Sequence, residues 1–156
     1  MGNGFYVWEN NLERAKVWAE EKAKAGSIKS PAVIGVVFTL GNCFDLIDSK
    51  HINLLTYYYQ LMKDDFLKLG KILPENKDTK TDEHKNLLYR ALDCSVIEYM
   101  HYQINQEESI KEFDTVRGVF VEGGQAFPGS GINSKNHIQV CIRNLDCIKG
   151  FFKPRN

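Results

Sequence analysis

The residues best suited to meet a ligand are gathered at the start of the chain. Gly2 and Gly4 stand one residue apart, Phe5-Tyr6-Val7-Trp8 follows, and Asn10 leads into helix-forming residues. Glycines lack a Cβ, so the backbone can bend there or approach another group closely. The aromatic run reads as a short strand, and Asn10 suits a helix N-cap. A glycine turn, a strand and a helix are therefore expected, with Phe5, Tyr6 and Trp8 serving either as a platform for a flat ligand or as ordinary core. A second unusual stretch is Glu122-Gly123-Gly124-Gln125-Ala126-Phe127-Pro128-Gly129-Ser130-Gly131. A connection of this composition reads as a long loop, either functional or a disordered crossover. Metal chemistry is not expected. His51, His84, His101 and His137, with Cys43, Cys94, Cys141 and Cys147, show no spacing suited to zinc. Cys141 and Cys147 sit among apolar neighbours and read as small buried hydrophobes.

The elements that must position these residues follow from periodicity. Leu12, Ala15, Trp18, Ala19 and Ala23 recur at helical spacing, which predicts a helix over residues 12–25 ended by Gly26. Residues 32–40 form a nearly continuous β-branched run, read as a central strand covered on both faces. Asp48 or Ser49 caps a helix running to residue 69, where Gly70 ends it. Tyr57-Tyr58-Tyr59 within it cannot form one stacking platform, because successive helical residues point about 100° apart. Residues 74–82 are polar, of mixed charge, and read as a mobile loop. Helical periodicity resumes over residues 83–104, with Asp93-Cys94-Ser95 as an interruption; strands are expected over 113–121 and 137–142, and a short last one opens at Phe151-Phe152. The architecture predicted is α+β, with roughly five or six strands and three helices.

Gly2-x-Gly4-Phe5-Tyr6, followed by Ala15-x-x-Trp18-Ala19 on the next helix, resembles the second motif of the ADP-ribosyltransferase superfamily, on its diphtheria-toxin and poly-ADP-ribose-polymerase side. Gln139-Val140-Cys141-Ile142, with Leu145-Asp146-Cys147-Ile148 and an aromatic strand after it, resembles the third motif, in which a Glu, or in several bacterial subfamilies a Gln, faces NAD. The resemblance implies a split sheet with NAD in a cleft. Gly4, Tyr6 and Trp18 would bind that substrate, Tyr6 stacking on the nicotinamide and Trp18 closing its other face. Gln139 would hydrogen-bond a ribose hydroxyl or the target, and His137 or Glu122 would supply acid, base or negative charge. Residues 122–136 would be the target-recognition loop, with Phe127 as a contact. The implied reaction is transfer of a single ADP-ribose to a macromolecular target, protein or nucleic acid, by a bacterial toxin-like enzyme that an inhibitor or antitoxin protein would restrain. The family's first motif, a His or Arg on an upstream strand, has no counterpart here. The chain therefore reads either as N-terminally truncated or as a copy without that strand, and in the second case as a degenerate module that binds a ligand or protein without chemistry.

Composition bounds these readings. At 156 residues, 43% hydrophobic and 26% charged, the chain is long enough for one domain with a real core. Twenty basic residues balance twenty acidic ones, so no global field draws in nucleic acid or a membrane surface. Lys135, Arg143, Lys149, Lys153 and Arg155 gather near the C-terminus against Asp146 alone and read as solvated surface. No apolar run approaches the roughly 18 residues that cross a bilayer. With no signal peptide, and with cysteines read as reduced thiols, a cytoplasmic location is expected.

Overall fold

In chain order the elements are β1 (Phe5–Trp8), α1 (Leu12–Lys24), β2 (Gly35–Phe38), β3 (Cys43–Asp45), α2 (Ser49–Lys68), β4 (Asn76–Lys77), β5 (Tyr89–Arg90), α3 (Ala91–Ile104), β6 (Thr115–Phe120), β7 (His137–Ile142) and β8 (Ile148–Phe152). They come from a computed structural model that describes residues 1–79 and 83–155. The fold is α+β. Four strands form a mixed sheet in the order β1-β7-β6-β3, and β2 and β8 pair in a second sheet. β4 and β5 form a small third pair. Within the large sheet β3 runs parallel to β6, while β1 and β6 flank β7 antiparallel.

Register decides which side chains share a face. Tyr6 lies opposite Cys141 and Trp8 opposite Gln139, while Val116, Gly118 and Phe120 of β6 face Cys141, Gln139 and His137. Because side chains alternate across a strand, these residues all point to one side. At one end of that side Phe44, Val116 and Cys141 pack with Tyr58 of α2 and with Ile97, Met100 and Ile104 of α3. On the opposite side Val140 and Ile142 meet Cys147, with Phe38 and Ile148 of the second sheet packed against them. The large sheet is thus covered by helices on one face and by the β2–β8 ribbon on the other. Each fully buried side chain the size of Met100 or Ile97 contributes about 1.5–3 kcal/mol to that packing.

Local chemistry explains where the helices begin and end. Asn10 adopts φ 48°, a conformation that Asn tolerates better than most residues. The cap of α1 then falls on Asn11, whose side chain accepts from the Arg14 amide at 3.0 Å. Gly26, at φ 73°, turns the chain out of that helix. Asp48 caps α2 through the Lys50 amide at 2.8 Å. Tyr58 is buried and Tyr57 is exposed, so the tyrosine triplet divides between core and surface. α3 begins at Ala91, eight residues later than its periodicity suggests. Lys85 and Leu87 have φ of 54° and 52°, which breaks any helix there, and Arg90 offers no side-chain cap. The cap comes from far upstream: Asn76 Oδ1 accepts from the amides of Leu92 at 3.0 Å and Asp93 at 3.3 Å.

A further expectation is corrected. The β-branched run over residues 32–40 is not the central strand. Only Gly35–Phe38 is extended in a ladder, it belongs to the two-stranded ribbon, and Ile34 and Val37 are more than half exposed. A continuous apolar run fits a buried strand, but it cannot say which sheet the strand joins; the inner places go to β7 and β6. The glycine-rich segment after β6 is a long loop, as its composition predicts, and it folds back on itself through the bridge between Gln125 and Asn133. Ala126 N donates to Ile132 O at 2.9 Å, Ser134 N to Gly124 O at 2.9 Å and Lys135 N to Glu122 O at 3.0 Å. The loop expected over 74–82 carries β4, and its residues 80–82 lie outside the described residues. Among the described residues, no helix is long and apolar enough to cross a membrane.

Candidate functional site

The pairing of β1 with β7 brings the two resembled motifs together. Tyr6 opposite Cys141 and Trp8 opposite Gln139 make Tyr6 and Gln139 diagonal neighbours on one face, a relation that spans about 7–8 Å. Tyr6 is 40% exposed, and its hydroxyl donates to the Gly2 carbonyl, which folds the first residues back along the ring. Burial around the phenol, with the Cys141 thiol beside it, holds its pKa well above the ordinary value, so Tyr6 is a neutral ring with a fixed hydroxyl. Trp18 of α1 stands over Trp8, with ring centroids 5.3 Å apart. Its contact is therefore with the residue that faces Gln139 directly. Trp8 stands two residues after Tyr6 on one strand, a spacing that by itself places both on the same face.

Gly4 makes its close contacts within the protein. A Cβ there would sit 2.5 Å from Cys141 Sγ and 2.6 Å from the Ile142 carbonyl oxygen. The glycine thus lets β1 enter its pairing with β7, and Asn3 just before it is gripped by an ion pair. Glu98 Oε1 accepts from Asn3 N at 2.7 Å, while Arg143 Nη1 donates to Asn3 O at 3.0 Å and to Glu98 Oε1 at 2.5 Å. Burial opposes ionisation of Glu98, but the bonds from Arg143 and Asn3 outweigh it and lower its pKa.

His137 and Gln139 form the polar centre of the face. His137 is 5% exposed. Its Nδ1 lies 2.7 Å from the Lys135 carbonyl oxygen, and its Nε2 lies 2.9 Å from Gln139 Nε2. The ring stacks on Phe120 with centroids 5.5 Å apart and planes 15° from parallel. Arg90 also packs on Phe120, its guanidinium carbon 4.5 Å from the ring centre, a cation–π arrangement that fixes Phe120 in turn.

Glu122 continues the same face beyond Phe120. It is buried at 8% exposure between two guanidinium groups, with Arg14 Nη2 3.5 Å from Oε2 and Arg90 Nη2 3.6 Å from Oε1. A buried carboxylate requires such counter-charge. Both oxygens are thereby engaged, which makes Glu122 an electrostatic anchor for α1 and α3 at this end of the sheet. A cavity of about 290 Å³ opens here, lined by Arg14, Glu21, His84, Glu122 and Lys135 among others. Arg14 Nε and Nη1 have no hydrogen-bond partner among the described residues. Arg14 and Arg90 went unnoticed in the sequence. Arg14 could have been found, because it lies four residues before Trp18 and so on the same helical face; Arg90 carried no such signal.

Phe127 lies in the hairpin extension, 61% exposed, with Ile132 at 60% nearby in the same extension. The chain turns between them through Ser130 N donating to Phe127 O at 2.9 Å, so the two apolar side chains are presented on ordered backbone. The structure therefore gathers Tyr6, Trp8, Gln139, His137 and Glu122 on one sheet face, sets Trp18 over Trp8, and holds Phe127 out beyond them. Across the sheet Arg117 ties three strands together. It clasps Glu9 with Nε to Oε2 at 2.6 Å and Nη2 to Oε1 at 3.2 Å, and reaches Asp45 with Nη1 at 3.0 Å. Those bonds outweigh its desolvation and raise its pKa further. Among the described residues, no group of three or more His, Cys, Asp or Glu is arranged to hold a metal ion. Comparison with protein-family models, with curated proteins and with solved structures finds no match to this chain.

Proposed function

We propose that this chain is an NAD-dependent mono-ADP-ribosyltransferase domain that transfers ADP-ribose to a macromolecular acceptor. The observation that carries the reading is the register of β1 on β7, which makes Tyr6 and Gln139 diagonal neighbours on one face. That adjacency is what the resemblance of the two distant segments requires. Tyr6 supplies a half-exposed neutral ring against which nicotinamide can stack, and Gln139 supplies an amide to bond a ribose hydroxyl. In the reaction the bond between nicotinamide and ribose breaks, nicotinamide leaves with the bonding electrons, and an acceptor nucleophile attacks the oxocarbenium-like ribose carbon. Positioning and fixed dipoles carry such a reaction. Gln139 cannot ionise, and the charge of Glu122, the buried carboxylate further along this face, is taken up by Arg14 and Arg90, so fixed dipoles and the positioning of the substrate are left to stabilise the developing cation. The hairpin tip with Phe127 and Ile132 is the surface that meets the acceptor, and an inhibitor protein that covered it would block transfer.

The uncharged Gln139 also favours a second reading, a transferase-like fold that binds an NAD-like ligand without cleaving it. Nicotinamide release and thermal stabilisation separate the two. An enzyme consumes NAD, whereas a binding module melts higher in its presence without releasing nicotinamide. A protein that showed no turnover and no stabilisation would refute both readings.

A further inference from the structure

We infer that His137 is a positioning residue that fixes which end of the Gln139 amide is presented as an acceptor. The inference concerns the protein's own hydrogen bonds, and only its consequence for ribose rests on the reading above. A carbonyl oxygen accepts and never donates. The Lys135 carbonyl oxygen, 2.7 Å from Nδ1, therefore requires the proton on Nδ1. In the neutral ring Nε2 then carries a lone pair, and Gln139 Nε2, 2.9 Å away, donates to it. The amide oxygen must point away from the ring, because the reversed amide would set oxygen against a lone pair. Gln139 thereby turns its acceptor oxygen away from the ring, where a ribose hydroxyl can donate to it. Free in solution, a Gln side chain would present either end.

The lock is built into the fold. The ring is 5% exposed, it stacks on Phe120, and Arg90 packs on Phe120 in turn. The Lys135 carbonyl is part of the chain that leads into β7, so the acceptor that sets the tautomer comes from the same strand as the amide that reads it. On this view His137 moves no proton in catalysis. It converts a backbone carbonyl two residues upstream into the orientation of a side chain two residues downstream.

The charged groups on the elements around the ring are Glu122 with its partners Arg14 and Arg90, and Lys135 with its partner Glu21. They are common to wild type and to the variant below. The experiment is a long-range proton–nitrogen correlation spectrum of protein with nitrogen-15-labelled histidine, recorded across pH, with His137→Phe assigning the resonance while keeping an aromatic ring against Phe120. Wild type should show His137 protonated on Nδ1 and bare on Nε2. Gln139→Glu replaces the donor with a pure acceptor, so both ring nitrogens then face acceptors and the Nε2 signal should move from the position of a bare ring nitrogen to that of a protonated one. An Nε2-protonated tautomer in wild type, or an Nε2 signal that stays at the bare position in Gln139→Glu, would overturn the inference. The spectra read the ring and not turnover, so a protein that proves inactive toward NAD still decides the question.

Discussion

Trp8, and not Tyr6, is the residue directly opposite Gln139, and Trp18 packs on Trp8 with centroids 5.3 Å apart. The Tyr6 ring and the Gln139 amide are consequently offset along the strands. Tyr6 is held in that offset place by its hydroxyl on the Gly2 carbonyl. Tyr6→Phe should therefore lower stability by about 0.5–1.5 kcal/mol, the usual worth of one such bond, while keeping the ring face. A thermal melt of the purified variant checks it, and a loss far beyond that range would mean the ring itself had moved.

Gly4 and Gly26 offer a contrast. A Cβ at Gly4 would collide with Cys141 Sγ at 2.5 Å and the Ile142 carbonyl oxygen at 2.6 Å, whereas at Gly26 nothing lies within 4 Å. Gly26→Ala then meets only the strain of its left-handed backbone, about 1–2 kcal/mol. Gly4→Ala must push β1 off β7 and should cost about 2–3 kcal/mol or more. Denaturant titration of the two variants side by side measures the order; equal losses would show that β1 is not tightly seated.

Arg117 is the sole cation that Glu9 and Asp45 share among the described salt bridges. Arg117→Met leaves two carboxylates facing across the strands without it. Charged hydrogen bonds of this kind contribute about 1.5–3 kcal/mol, and the partial exposure of all three groups places the expected loss near the lower end, at about 1–2 kcal/mol. A double-mutant cycle with Glu9→Gln should recover part of it.

Burial lowers the pKa of His101, only partly opposed by its bond to the Ile97 carbonyl, with Arg143 also lowering and Glu98 raising it. The folded value thus lies below the unfolded one, near 6.5. On acidification the unfolded chain takes up its proton first, so the contribution of His101 to stability is present above about pH 6.5. It falls as pH drops through that value and levels off below the folded pKa. His101→Met should flatten this part of the profile in melts recorded from about pH 7 to about pH 5. An unchanged slope would assign the acid sensitivity to other groups.

The helical cap that crosses from β4 to α3 is testable alone. Asn76→Ala removes the acceptor for the Leu92 and Asp93 amides and the 2.7 Å bond from Asn76 Nδ2 to Asp93 Oδ1. A lost cap costs about 1 kcal/mol. Hydrogen exchange should quicken at those two amides before the rest of α3; uniform quickening would indicate global destabilisation instead.

Periodicity alone made much of this fold legible. The bounds of α1, α2 and β7 follow from apolar spacing and caps that lie next to the elements they govern. What could not be read depends on partners distant in sequence. Residues 32–40 look like a central strand, but whether such a run joins an inner sheet or an outer ribbon is set by which strands pair, and β8 claimed it. The start of α3 depends on Asn76. The hairpin order of residues 122–136 comes from backbone bonds to which glycine-rich composition gives no clue. At the site, Tyr6, Gln139 and His137 could be named from local motifs, whereas Arg90 became visible only when the fold laid it on Phe120. Glu122 was legible as a carboxylate at a strand end, but its two guanidinium partners were not.

The central claim is that one face of the β1–β7 pair binds and cleaves NAD, and labelled-NAD transfer tests it most directly. Protein is incubated with NAD labelled in the adenosine part and with macromolecular acceptors, and nicotinamide release is followed alongside label incorporation. Wild type should do both. Tyr6→Ala should lose both while still melting cooperatively, because a stacking contact of about 1–3 kcal/mol is removed from a half-exposed position. Tyr6→Phe should retain part of the activity. Release and transfer by the Tyr6→Ala variant at the wild-type rate would contradict the account.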